Sequence, residues 1–186
     1  MRLASLCLLL WTALPIACAA GANAPGNRVI VRSPDGRLAI ELFTRAAPGA
    51  PSQLQYRVSL VDLAVVDASN LGVHLKQGTE LGRDCSIVDH ETNKIDSSFE
   101  QYPGKRRHVI DRATETTLVL RERGAKPLEW QLVVRAYDDG VALRYRFAKQ
   151  PGWFALELAG DLTEFAFPAD AVEAFVRALA GALDGK

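Results

Sequence analysis

Two pairs of carboxylates, Asp96 with Glu100 and Glu157 with Asp161, could in principle flank a glycosidic bond. That chemistry needs one protonated carboxyl and a second, roughly 5–10 Å away, acting as base or nucleophile. Nothing beside either pair marks it for such work, and acids are a normal component of a soluble surface, so catalysis by this chain alone is not expected. Asp89-His90-Glu91 has metal-binding residue types, but on a strand Asp89 and Glu91 face one way and His90 the other. With His74 and His108, the other two histidines, it reads as a set of polar residues at the surface rather than a metal site. Asp138-Asp139-Gly140 has the first residues of a calcium loop without the later oxygen ligands or the terminal glutamate, and so reads as a turn. No metal ligand, catalytic residue or cofactor is therefore assigned from these residues.

Trp130 and Trp153 could stack on a sugar ring. Trp130 falls on the apolar face of its strand and is expected in the core; Trp153, after Pro151-Gly152, is the candidate carbohydrate-binding residue. Cys85 has no basic cluster beside it and reads as a small buried hydrophobe. Lys105-Arg106-Arg107-His108 reads as a solvated strand entry beside a turn. Gly-rich phosphate loops, a Gly-x-Ser-x-Gly elbow and a Cys-x-x-Cys pair are all missing from the sequence.

The elements that must position these residues are strands. Alternation of apolar and polar residues predicts Arg28–Arg32, Arg37–Thr44, Gln53–Leu60, Asn70–Lys76, Cys85–Glu91, His108–Arg112, Glu115–Arg121, Leu128–Tyr137, Val141–Lys149, Trp153–Leu158 and Glu164–Phe167, with turns at Ser33-Pro34-Asp35-Gly36, Gln77-Gly78, Tyr102-Pro103-Gly104 and Arg123-Gly124-Ala125. The Asp138-Asp139-Gly140 hairpin is expected to use Gly140 at positive φ. Many short strands without a helical period imply an all-β, antiparallel β-sandwich. A short helix is expected after it: Asp170 and Glu173 form a capping box ahead of the stripe Val172, Phe175, Val176, Leu179 and Leu183.

Residues 1–22 read as a secretory signal, with Arg2 before a short apolar core, Pro15 and an Ala-rich end, followed by a flexible leader at 23–27. The mature chain is expected to begin between Ala20 and Asn23, in the periplasm or outside the cell; a lipid anchor at Cys18 is the less favoured alternative. Loss of Arg2 with the signal leaves 21 basic and 22 acidic residues, a net charge of −1. That balance gives no basis for binding nucleic acid or an anionic membrane, and the apolar stretch is too short to span a bilayer. Cys7 and Cys18 belong to the signal, so Cys85 has no internal disulfide partner.

The run Tyr137-Asp138-Asp139-Gly140-Val141-Ala142-Leu143-Arg144-Tyr145-Arg146-Phe147, then Leu162-Thr163-Glu164-Phe165-Ala166-Phe167-Pro168-Ala169-Asp170, resembles the N-terminal domain of glycoside hydrolase family 97, the bacterial α-glucosidases and α-galactosidases. Ser33-Pro34-Asp35-Gly36-Arg37-Leu38, Leu71-Gly72-Val73 and Leu81-Gly82 extend the resemblance over 28–170, and residues 171–186 read as a divergent helical tail. The resemblance implies a galactose mutarotase-like super-sandwich. In complete family members a (β/α)8 barrel follows, carrying the catalytic carboxylates and most of the calcium site, so neither role transfers to a residue here. The chain is thus expected to be an exported accessory domain that binds or scaffolds carbohydrate without catalysing hydrolysis by itself. The alternatives are a truncated remnant of a glycosidase and a structural or protein-interaction module, with a protein partner covering a sandwich face left exposed without the barrel.

Overall fold

The computed structural model describes residues 28–46, 48–61, 63–100, 108–123, 127–149 and 155–169. Residues 1–27, where a signal and leader are expected, with Cys18, as well as Trp153, Lys105 to Arg107 and 170–186, where a capped helix is expected, lie outside them. Among the described residues there are eleven strands: β1 Arg28–Arg32, β2 Leu38–Arg45, β3 Gln53–Leu60, β4 Leu63–Asn70, β5 Val73–Leu75, β6 Glu80–Leu81, β7 Cys85–Glu100, β8 His108–Glu122, β9 Glu129–Ala136, β10 Val141–Arg146 and β11 Leu158–Asp161. They form sheets ordered β1-β2-β3-β4, β10-β9-β8-β7 and β11-β5-β6, and every strand pairing is antiparallel.

Alternation explains the packing. Val29 and Val31 of β1, Ile40 and Leu42 of β2, and Leu54 and Tyr56 of β3 turn inward from the first sheet, to meet Leu118 and Leu120 of β8 and Trp130, Leu132 and Val134 of β9 from the second. Side chains of this size each contribute about 1.5–3 kcal/mol on burial, and this shared interior makes the two sheets a sandwich. Leu71, Val73, Leu75 and Leu81, in and beside the small third sheet, join the same cluster.

Three departures from the sequence reading have physical causes. The first is β4, which strict alternation does not reveal: the register against β3 shifts between Tyr56 and Val58 and again between Val58 and Ser59, so the buried positions fall at Val66 and Ser69, out of phase with a period of two. The second is that β7 runs on to Glu100 and that β8 is continuous where two strands were expected. The partner strand β9 covers β8 only from Thr114 to Arg121. Beyond it β7 and β8 continue as a two-stranded ribbon, registered out to Glu100 opposite His108, with too little buried surface to impose alternation.

The third departure concerns Gly140. The hairpin loop closes through Tyr137 N–H donating to the Gly140 carbonyl at 2.8 Å. Positive φ, however, falls on Gly36, Gly49, Gly78 and Gly82 among the described glycines, not on Gly140. A four-residue loop needs no left-handed glycine at its last position, unlike the tighter turn read from the sequence. A Cβ added at Gly140 meets nothing within 4 Å. Gly140→Ala is therefore expected to leave the melting temperature unchanged or raise it slightly, by reducing the freedom of the unfolded chain by about 0.4–1 kcal/mol. Thermal denaturation of the two proteins checks this.

Past β11 the chain keeps pairing. Leu162 N–H donates to the Gly72 carbonyl at 2.9 Å, Glu164 N–H to Asn70 at 2.9 Å, and Asp67 N–H to Ala166 at 2.7 Å. The expected strand at Glu164–Phe167 thus becomes an extended strap along β4. The Tyr56 hydroxyl donates to the Glu164 carbonyl at 2.8 Å, and its ring meets Phe165 edge-on at 6.3 Å.

Candidate functional site

Two motifs far apart in sequence, the β1–β2 turn and the β9–β10 hairpin, meet in the fold. In the β1–β2 turn the Asp35 carboxylate accepts from the Ser33 hydroxyl at 2.5 Å and from Arg37 N–H at 2.9 Å, and these bonds, Ser33 first, lower its pKa. The Asp35 N–H donates in turn to the Asp138 carboxylate at 2.9 Å. Asp138 is therefore a clamp between the β1–β2 turn and the β9–β10 hairpin.

Beside that clamped turn lies a groove of about 570 Å³, walled on one side by Ile30, Arg32, Ser33 and Pro34 and on the other by the ribbon at Lys94–Asp96 and Arg112–Thr114. Its size falls within the usual range for small-molecule sites. Arg112 engages Asp96 at 3.4 Å, whereas Arg32 and Lys94, both exposed, have no acidic partner within 4 Å among the described residues. A smaller hollow of about 210 Å³ lies over β9 and β10 at Arg135, Tyr137 and Arg144. The guanidinium of Arg135 is already held there by Glu115 at 2.6 Å and Asp111 at 3.5 Å.

A second convergence is structural. Leu71-Gly72 and Leu81-Gly82 cross backbone to backbone: a Cβ on Gly72 would stand 2.4 Å from the Leu81 carbonyl oxygen, and one on Gly82 would stand 2.3 Å from that of Leu71. Gly72 N–H donates to the Tyr145 hydroxyl at 3.1 Å. Tyr145 lies 2.7 Å from the Thr163 hydroxyl, which itself donates to Asp161 at 2.6 Å; the Tyr145 proton therefore points to Thr163. Burial raises the Tyr145 pKa, keeping the phenol neutral. On the other side of the crossing, the Glu122 carboxylate takes Gly82 N–H at 2.8 Å and Trp130 Nε1–H at 2.7 Å.

Each candidate carboxylate read from the sequence has a neighbour of its own. Glu157 pairs with Lys76 at 2.9 Å, Asp161 orients Thr163, Asp96 holds Arg112, and Glu100 lies 3.7 Å from His108. Among the described residues the carboxyl with a raised pKa is Glu122, a residue the sequence reading missed. Burial is the main cause, partly offset by its two hydrogen bonds. It lies inside the fold, with 6% of its surface exposed, where a substrate has no access. Its signal was its phase: Thr116, Leu118 and Leu120 point inward, and Glu122 is next in that series. Trp130 is in the core as expected, and Cys85 is buried, its thiol pushed up to about 12 chiefly by desolvation and then by Glu122. His74 and His90 are half-buried and His108 is exposed; no group of three metal-ligating side chains occurs among the described residues. No helix among these residues is long and apolar enough to cross a membrane.

This arrangement defines an antiparallel β-sandwich with a lateral groove and glycine-crossed strands. The chain belongs to the glycosyl-hydrolase 97 N-terminal family, whose profile matches residues 31–181 and so runs past Asp170, where the motifs recognised in the sequence end. A probable retaining alpha-galactosidase of Streptomyces bingchenggensis (strain BCW-1) is 32% identical over 138 residues, covering 74% of this chain and 20% of the relative. Among solved structures, a glycoside hydrolase family 97 enzyme from Pseudoalteromonas sp. strain K8, in complex with panose, superimposes with a TM-score of 0.68 at 26% identity, over 76% of this chain and 21% of that one. A beta-arabinopyranosidase gives 0.67 at 26% identity, over 75% and 21%. The chain thus spans about a fifth of the length of these relatives.

Proposed function

We propose that this chain is an exported accessory β-sandwich that binds carbohydrate in the groove beside the β1–β2 turn and does not hydrolyse it alone. The observation carrying this reading is the groove itself, an open, partly apolar concavity held by a clamped turn, in a domain whose relatives include a probable alpha-galactosidase and an enzyme crystallised with panose. The engaged state of Asp96, Glu100, Glu157 and Asp161 supports the non-catalytic part. Calcium, which the sequence resemblance implies for complete family members, has no assigned ligand in this chain.

A second reading, a module that docks another protein, is favoured by the strap and strand that end the described chain. Leu158, Phe165 and Phe167 are each more than half exposed there, with Leu162 partly so.

Purified protein is expected to show no turnover of aryl α-glucosides or α-galactosides, with or without calcium, while retaining α-linked oligosaccharides in a calorimetric titration. Turnover abolished by changing a single Asp or Glu of this chain would overturn the non-catalytic assignment, and failure to bind any oligosaccharide would favour the docking module.

A further inference from the structure

Building on the carbohydrate role proposed above, we infer that the groove between the β1–β2 turn and the β7–β8 ribbon selects acidic oligosaccharides, with Arg32 and Lys94 receiving the carboxylates of hexuronate units. The charge around the groove has one sign to spare. Of its three cationic lining residues, Arg112 is engaged by Asp96, the one acid in the lining. Arg32 and Lys94 approach from opposite walls with no acidic partner among the described residues.

A guanidinium offers a planar fork that fits a carboxylate through two parallel hydrogen bonds, and an ammonium adds a point charge. Ile30, Pro34 and Ile95 supply apolar surface for the C–H faces of a pyranose ring, and Thr114 lies within the same lining. One wall is preorganised, because the turn carrying Ser33 and Pro34 is fixed by Asp35 and by Asp138 before any ligand arrives. A neutral sugar would use the apolar wall but leave both cations facing water. An acidic one satisfies both.

The test is calorimetric titration of the full chain at low salt with trigalacturonate, with the uncharged α-1,4-linked galactotriose, and with triglutamate as an acid that is not a sugar. Trigalacturonate is expected to bind at least roughly tenfold more tightly than galactotriose, with affinity falling as salt rises. The double variant Arg32→Gln, Lys94→Gln should weaken it roughly ten- to hundredfold, the usual effect of losing charge-assisted hydrogen bonds. Both side chains are exposed, so an unchanged melting curve will show that the variant folds. Equal affinity for galactotriose and trigalacturonate would overturn the acid preference and leave the carbohydrate role standing. Triglutamate binding as tightly as trigalacturonate would reduce the groove to an anion trap and remove the carbohydrate role from it. Binding undiminished in the double variant would overturn the assignment to these residues, and no binding of any probe would overturn both proposals.

Discussion

Replacing Gly82 with alanine is expected to destabilise the protein by about 3–5 kcal/mol, at the severe end of single substitutions. Two independent penalties meet at this residue. Its φ of 92° lies where an L side chain is strained, costing roughly 1–3 kcal/mol. The new Cβ would also stand 2.3 Å from the Leu71 carbonyl oxygen and 3.0 Å from the Gly72 Cα. Those neighbours are backbone, so the crossing itself must open. Opening it loosens the bonds from Gly82 N–H to Glu122 and from Leu54 N–H to the Gly82 carbonyl. Equilibrium denaturation of Gly82→Ala beside Gly140→Ala measures the contrast. A Gly82→Ala protein as stable as the parent would mean that the two strands do not cross at this distance.

Glu122 should give the second large effect, and its sign depends on what replaces it. In Glu122→Ala, Gly82 N–H and Trp130 Nε1–H lose their acceptor inside the fold, at a cost of about 1–3 kcal/mol each. Glu122→Gln keeps an acceptor oxygen for both donors and removes the ionisable group. In the parent, burial raises the folded-state pKa above the ordinary 4.5, so the folded protein holds the Glu122 proton to higher pH than the unfolded chain does. Its contribution to stability is fully present below about pH 4.5 and is lost as pH rises through the raised value, at a slope of at most ~1.4 kcal/mol per pH unit. Glu122→Gln should flatten that part of the stability profile and be at least as stable as the parent at neutral pH. Denaturant melts across pH 4 to 8 test this, and a Gln variant retaining the full slope would exclude Glu122 as its source.

These two residues also show how far the sequence could be read. Strands with one face in the core, such as β1, β3 and β9, were legible because burial enforces their alternation. The distal ribbon was not, because no second sheet covers it, and β4 was hidden by the register shifts against Val58. The motifs were recognisable singly, but their contacts were not. The turn at Asp35 meets Asp138 across 103 positions, and Tyr56 meets Glu164 across 108; no local pattern encodes such pairings. Glu122 was readable by phase, one step beyond the expected end of its strand. The groove was not, because Arg32, Lys94 and Arg112 come to line one cavity only in the folded arrangement of ribbon and β1–β2 turn. Trp153, the candidate binding residue read from the sequence, lies outside the described residues.

The most direct test of the account is a residue-resolved binding map, recorded as amide ¹H–¹⁵N spectra of the intact chain with and without a saturating α-linked trisaccharide, neutral or acidic. The account predicts that the largest shift changes fall on Ile30, Arg32, Ser33, Gly36, Lys94 to Asp96 and Arg112 to Thr114, with β3 and β10 nearly unmoved. Changes centred on Leu158 to Phe167 or on the Arg135 hollow, or no change with either sugar, would contradict it.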